Sequence, residues 1–338
     1  MIDELQTISV AAPAAPKQRL GFPRGSAEPK NILRILTYHR VADPKTTPRL
    51  HPRIISATPE LFARQMRHLA KNYCVISMEE ALHAVERKAA IPDGSVLITF
   101  DDGYLDFGEI AWPILQYYRL PVTLFVPTAY PDQPQRSFWW DRLYRAVMYA
   151  PQMEMSFDGL SVMSLRTHEH RTNCLRVLQS HVKSLSHVEA LSFVDTVCDQ
   201  LDEELAVEKT VLSWDELRRL VKEGVIVGAH TQTHSIMPRL TDEAVQREIS
   251  GSLDDLHREL GNILPIFCYP DGGHNEKIVL NLKQNGVKLA FTTRRGLNHL
   301  GETDPHRLRR NNITPRSTLP IFKLRLMHLM AYLESWRD

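Results

Sequence analysis

Cysteine is scarce in this chain. Cys74, Cys174, Cys198 and Cys268 lie far apart, with no CxxC and no paired spacing. That argues against a disulfide framework or a structural zinc ribbon and suits a reducing compartment. An excess of charge of either sign is also missing. Lysine and arginine number 41 against 40 aspartates and glutamates, a formal net charge of +1. No global field therefore argues for nucleic acid or an anionic membrane as partner. No apolar run approaches the roughly 20 residues needed to cross a bilayer. The opening stretch MIDELQTISVAAPAAPKQRLGFPRGSAEPK has neither a basic start nor a leucine-rich segment, so it does not read as a secretory signal. Its Pro, Ala and Gly content reads as a flexible tail over residues 1–30, and the default expectation for location is cytoplasmic. There is no internal repeat.

What is present is ordinary globular composition, 43% hydrophobic and 24% charged over 338 residues. From residue 32 short apolar strands alternate with amphipathic helices. The segments ILRILTYHRV, SVLITF, VTLFVP, VIVGAH, PIFCYP and KLAFTT read as strands. Thr58 caps a helix with Pro59 at its first position and Phe62, Met66 and Leu69 facing inward. IAWPILQYY reads as a helix that Pro113 must start or kink. Ser213 and Glu216 form a capping box, with Gly224 as a stop. Further helices are expected from Thr241 to Leu260 and from near Asn275. Residues 129 to 212 break the rhythm and read as a helical insertion. The expected layout is one domain over residues 31–338 carrying that insertion.

Strands and helices in alternation imply right-handed parallel crossovers. Such sheets present their working residues where strands end and loops begin. Asp101, Asp102, His39, His230 and the segment after Tyr269 all fall there. In VLITFDDGY, two adjacent carboxylates follow a buried strand. Two acids opening a helix would suit its dipole without any further role. In GAHTQTH, His230 and His234 are four apart, and both imidazoles can converge on one cation if the segment turns helically. Alone that spacing is weak in a chain with 15 histidines. Combined with a carboxylate at another strand end, it matches the open zinc site of hydrolases.

TFDDGY, HTQTH and FCYPDGGHN resemble the first three motifs of the polysaccharide deacetylase family, carbohydrate esterase family four. The likeness runs over nearly the whole chain from about residue 31, with the insertion matched least. LTYHRV is similar to the branch that includes poly-N-acetylglucosamine deacetylases of bacterial exopolysaccharide synthesis. The resemblance implies an irregular parallel (β/α) barrel with a helical insertion. It implies Asp102, His230 and His234 as ligands of a divalent metal, zinc foremost, with cobalt or nickel possible. It implies Asp101 as the base that takes a proton from the attacking water. Its substrate would be an acetylated glycan or glycolipid precursor, with no nucleic-acid partner.

In most members the general acid is a histidine of a C-terminal motif. His328 in LRLMHLM lacks the following aspartate and reads as a structural helix residue. The exopolysaccharide branch looks circularly permuted, which brings the equivalent histidine to His39. Motif three departs from the commoner RPPYG, whose arginine tethers the base and whose tyrosine offers a backbone N–H to the oxyanion. Here the stretch reads CYPDG. Asp271 keeps the N–H, with Tyr269 beside it on the substrate side, while Cys268 cannot tether. Arg310 in RLRRNNI is the candidate for that role, with Arg309 and a plain surface arginine as the alternatives. Of Trp139 and Trp140, either can line a sugar groove, and Trp140 is favoured. His168, Glu169, His170 and Cys174 mimic a ligand cluster but read as a solvated helix start. Two other functions stay open, an O-acetyl or other acyl-sugar hydrolase and a non-catalytic carbohydrate-binding relative.

Overall fold

Strands covered on both faces lose their polar alternation, and β1 (Ile32–Tyr38) and β5 (Ser95–Phe100) are buried at every position. In this computed structural model, which describes residues 31–157, 160–201 and 209–327, both lie mid-sheet. The tail expected over residues 1–30, and His328, lie outside the described residues. Between β1 and β5 come three short strands, β2 (Arg40–Val41), β3 (Ile55–Ala57) and β4 (Cys74–Val75). The sheet continues through β6 (Thr123–Val126), β9 (Ile226–Ala229), β10 (Ile266–Cys268) and β11 (Leu289–Phe291). The strand order is β11-β10-β9-β6-β5-β1, with every neighbour in this run parallel. β12 (Asn298–His299) pairs antiparallel with the start of β1.

The two edges of this curled sheet meet through one segment. Leu308 bridges to Phe291 of β11, and β13 (Asn311–Asn312) runs parallel to Leu36 and Thr37 of β1. The segment bonds to both sides: Thr292 N–H donates to Leu308 O at 2.9 Å, and Ile313 N–H donates to Thr37 O at 2.8 Å. The sheet thereby closes into the irregular parallel (β/α) barrel expected from the sequence. Within the sheet, Gly228 of β9 makes room for the Phe125 ring of neighbouring β6, because a Cβ there would lie 2.7 Å from that ring.

The helices that wrap the barrel begin where the capping signals stand. α1 (Pro59–Asn72) has Thr58 as N-cap and buries Phe62, Met66 and Leu69. α2 (Met78–Arg87), opened by a Ser77–Glu80 capping box, was not anticipated. α3 (Trp112–Tyr118) is preceded by a π-helical turn over Phe107–Ala111, with Pro113 at the junction; proline's missing N–H is harmless there. Between β6 and β9 lie α4 (Trp139–Tyr149), α5 (His168–Val182) and α6 (His187–Gln200). This segment is helical as expected, with one addition, an antiparallel hairpin of β7 (Glu154–Phe157) and β8 (Leu160–Ser164). Its sequence cue is the Asp158–Gly159 pair between alternating residues. α7 (Trp214–Lys222), α8 (Asp242–Leu260), α9 (Glu276–Gln284) and α10 (Leu319–Leu326) are the remaining helices among the described residues. Among the described residues no helix is long and apolar enough to cross a membrane.

Candidate active site

β5 delivers two carboxylates to the barrel's C-terminal end. Asp101 extends the ladder by donating its N–H to Tyr38 O at 3.0 Å. Asp102 and Gly103 then both adopt left-handed backbone, φ 75° and 66°. Glycine does so freely, whereas an aspartate bears a penalty on the order of 1 kcal/mol. That reversal turns adjacent side chains to different partners, and both remain buried, 3% and 2% exposed.

Asp102 faces two imidazoles. Its Oδ1 lies 3.5 Å from His230 Nε2 and 3.2 Å from His234 Nε2. The segment carrying them is not the helical turn that the four-residue spacing suggested. Thr231 and His234 take φ 65° and 60°, and the loop still converges both rings. His230 Nδ1 is 2.7 Å from Cys268 O and donates to it, which leaves the Nε2 lone pair pointing at Asp102. Asp102 Oδ1 is buried and receives no hydrogen bond. Three acceptor atoms within 4.8 Å of one another, one of them an orphaned carboxylate oxygen, fit a divalent cation and fit little else.

Asp101 is satisfied differently. Arg310 meets it with two parallel hydrogen bonds, Nη1 to Oδ1 at 2.8 Å and Nη2 to Oδ2 at 2.7 Å. Burial pushes the Asp101 carboxyl up, and the Arg310 guanidinium outweighs it, so the net shift is downward. Arg310 is itself held by Thr292 O at 2.9 Å and by Cys268 Sγ at 3.0 Å. The small Cys268 thus leaves room for a guanidinium that arrives from the closing segment. Asp101, His230 and Cys268 form a second tight cluster, but Arg310 already bonds to the Asp101 carboxylate and to Cys268 Sγ. Arg309 stands apart, its N–H bound to Asn298 Oδ1 at 2.8 Å.

His39 follows β1 and is half-buried, its backbone N–H donating to Ser56 Oγ at 2.9 Å. The next two residues are clamped by Asp106, which accepts from Arg40 Nη1 at 3.0 Å and from Val41 N–H at 2.8 Å. Trp140 packs edge-to-face on His234, 4.8 Å between centroids, and its Nε1–H donates to Tyr104 OH at 2.8 Å. Tyr269 has its hydroxyl bound to His306 O at 2.9 Å and its ring stacked on His274, so its phenol is pinned in place. Asp271 has φ 53° and a carboxylate paired with Lys183 Nζ at 3.1 Å. All nine residues singled out from the sequence line one cavity of about 580 Å³, and Trp139 lines it too. His168, Glu169 and His170 open α5, with Thr167 capping the His170 N–H at 3.1 Å, and Cys174 is buried against Met155.

Several residues at the site were not found from the sequence. Glu248 of α8 accepts the N–H groups of Gln232 and Thr233 at 2.8 and 3.0 Å and the Thr233 hydroxyl at 2.6 Å. It therefore fixes the loop between the two histidines. Asp255 supports the same loop, accepting from Gln232 Nε2 at 2.9 Å and Thr128 Oγ1 at 2.7 Å. His51, Gln179 and Lys183 also line the cavity. A glutamate inside a helix carries no local signature, so only the fold reveals Glu248.

The sequence pattern of the polysaccharide deacetylase family matches residues 88–290, well over half of the chain. The chain belongs to that family. Among solved structures it is similar to the Streptococcus pyogenes deacetylase PplD, with 18% identity, TM-score 0.59, and 88% of this chain and 100% of that one covered. A de-N-acetylase from Aggregatibacter actinomycetemcomitans has 15% identity and TM-score 0.58, with 87% and 99% covered. IcaB from Ammonifex degensii has 18% identity and TM-score 0.57, with 88% and 97% covered. At these identities the structural likeness speaks for the deacetylase fold alone. No curated protein matches the chain.

Proposed function

We propose that this family member hydrolyses the acetamide of an N-acetylated sugar, releasing acetate and a free amine. The observation that carries the proposal is the division of labour between neighbours. Asp102 presents an orphaned oxygen to two imidazoles, while Asp101 is kept ionised by Arg310. A divalent cation at Asp102, His230 and His234, zinc foremost, supplies a Lewis acid for the acyl carbonyl and for water.

The chain's own groups do the rest. Asp101 accepts the proton of the water that attacks the acetyl carbon. Arg310 fixes the carboxylate in place and keeps it unprotonated at neutral pH. Its lowered basicity would be tolerable for a water made more acidic by a divalent cation bound beside it. The Asp271 N–H, held in left-handed backbone, donates to the developing oxyanion. His39 protonates the leaving nitrogen, without which an amine departs poorly. Trp140, stacked on Phe138 and packed on His234, lends an apolar edge to the wall beside the sugar. We place the reaction in bacterial exopolysaccharide synthesis, on an acetylated glycan or a carrier-linked precursor, in the cytoplasm. Recovery of the native protein with periplasmic markers would overturn that location.

The test is acetate release from a panel of N-acetylated and O-acetylated glycans by zinc-loaded protein. Release from the amides supports the proposal. Release from esters only would assign the site to O-acetyl sugars, and glycan binding without acetate release would make the chain a binding relative.

A further inference from the structure

The cavity's walls come from three parts of the chain, and each is tied to the next. The loop between β2 and β3 is clasped by the insertion: Pro48 O accepts from Tyr144 OH at 3.1 Å and Tyr149 OH at 2.7 Å. His51, in the same loop, stacks on Tyr144 with centroids 4.9 Å apart, and its Nε2 lies 3.0 Å from the Gln179 amide of α5. At the end of α5, Lys183 reaches across to both carboxylate oxygens of Asp271, at 3.1 and 3.2 Å. Asp271 O in turn accepts from Thr293 Oγ1 beyond β11 at 3.3 Å. Loop, insertion and motif-three turn thus form a continuous rim above the barrel end that carries His39 and Asp101.

A long glycan bound through an interior sugar needs a groove open at two ends, so that the chain can enter and leave. Here the flank beside His51 is bridged to α5, and the flank beside Asp271 is bridged to it as well. The space that this rim borders, about 580 Å³ and open on its outer side, falls within the range of pockets that take a small ligand. We propose that the site takes the acylated sugar at the terminus of a chain, admitted end-on, and rejects sugars in the interior of a long polymer. The inference rests on the deacetylase function proposed above and narrows its substrate.

The experiment uses zinc-loaded full-length protein with fully N-acetylated glucosamine oligomers of increasing length. Acetate released per chain at completion is measured, and the freed amines are located by tandem mass spectrometry. The expected result is about one acetate per chain at every length, with the amine at a terminal sugar. Acetate that scales with length, from interior positions, would overturn the inference while leaving the deacetylase function intact. No acetate from any oligomer would instead strike at the function, and the inference with it. The variant Gln179→Ala with Lys183→Ala cuts both bridges, one at a half-buried and one at an exposed position, and circular dichroism checks that it folds. Interior deacetylation should then rise on the order of tenfold over the unmodified protein. An unchanged terminal pattern in the folded variant would show that the rim does not set the selectivity.

Discussion

The barrel and the insertion bury separate hydrophobic cores. Barrel strands pack Leu36, Ile98, Phe100, Leu124 and Phe267 against the surrounding helices, whereas the insertion gathers Leu143, Val147, Leu175, Leu178, Val194 and Val197 around itself. They also supply different things to the cavity. Every group assigned to proton transfer or metal holding stands at a barrel strand end or in the closing segment. The insertion contributes Trp140, Gln179 and Lys183, which shape the space. A buried polar cluster joins the two: Tyr104 OH donates to Asp141 Oδ2 at 3.1 Å, and Arg40, 3.0 Å from Asp106, lies 3.7 Å from Asp141. Chemistry and selectivity are therefore separable by mutation. Changes in the barrel should abolish turnover, and changes in the insertion should alter what is accepted.

The largest effect belongs to His234→Ala. Removing one of three ligand atoms should leave the protein unable to retain metal through dialysis, with acetate release down on the order of a thousandfold. Elemental analysis beside the acetate assay checks both. Arg310→Met comes next, since it leaves the Asp101 carboxylate buried without its cation. The expected stability loss is about 3–5 kcal/mol, read by denaturant unfolding. The pH profile should move too. With Arg310 present the Asp101 carboxyl sits below its unfolded value, so its contribution to stability is present at neutral pH and is lost only in strong acid. Without the guanidinium, burial dominates, and the acidic limb of the activity profile should shift to higher pH.

Glu248→Ala is expected to act through the loop it anchors, weakening metal affinity about 10- to 100-fold. Glu248→Gln should weaken it less, as calorimetric zinc titrations of the two variants can show. The smallest effect lies where the insertion meets the barrel loop. Burial among Tyr144 and its neighbours lowers the His51 pKa to about 4. Its unfolded value lies near 6.5, so the unfolded chain binds more protons between those two pH values. Stability should therefore fall as pH drops below about 6.5, by about 2 kcal/mol at pH 5 from this residue. His51→Gln should flatten that pH dependence while leaving the metal in place. A metal-site loss from His51→Gln would blur the separation between barrel and insertion.

Legibility in the sequence followed the same divide. Parallel strands buried on both faces are written as continuous apolar runs, and SVLITF corresponds to β5 residue for residue. Thr58 announced its helix because a capping side chain acts locally, and Thr241 and Asn275 cap the two helices expected to start there. Adjacent Asp101 and Asp102 advertised a site because their chemistry is local too. What required the fold was long-range. Arg310 reaches Asp101 across 209 residues from a segment of sheet only two strand residues long. Glu248 serves a loop from a helix interior, and the rim ties Pro48 to Tyr144 and Lys183 to Asp271. The hairpin β7–β8 and the helix α2 do carry local cues in the sequence, an Asp-Gly pair set among residues of helical character and a Ser77–Glu80 box.

The most direct test of the account compares the neighbours Asp101→Asn and Asp102→Asn for bound zinc and for acetate release. Asp101→Asn should keep one zinc per chain and lose about a hundredfold or more in turnover, while Asp102→Asn should lose the zinc itself. Equal zinc content in the two variants, or wild-type turnover in Asp101→Asn, would contradict the assignment of one carboxylate to the cation and its neighbour to the proton.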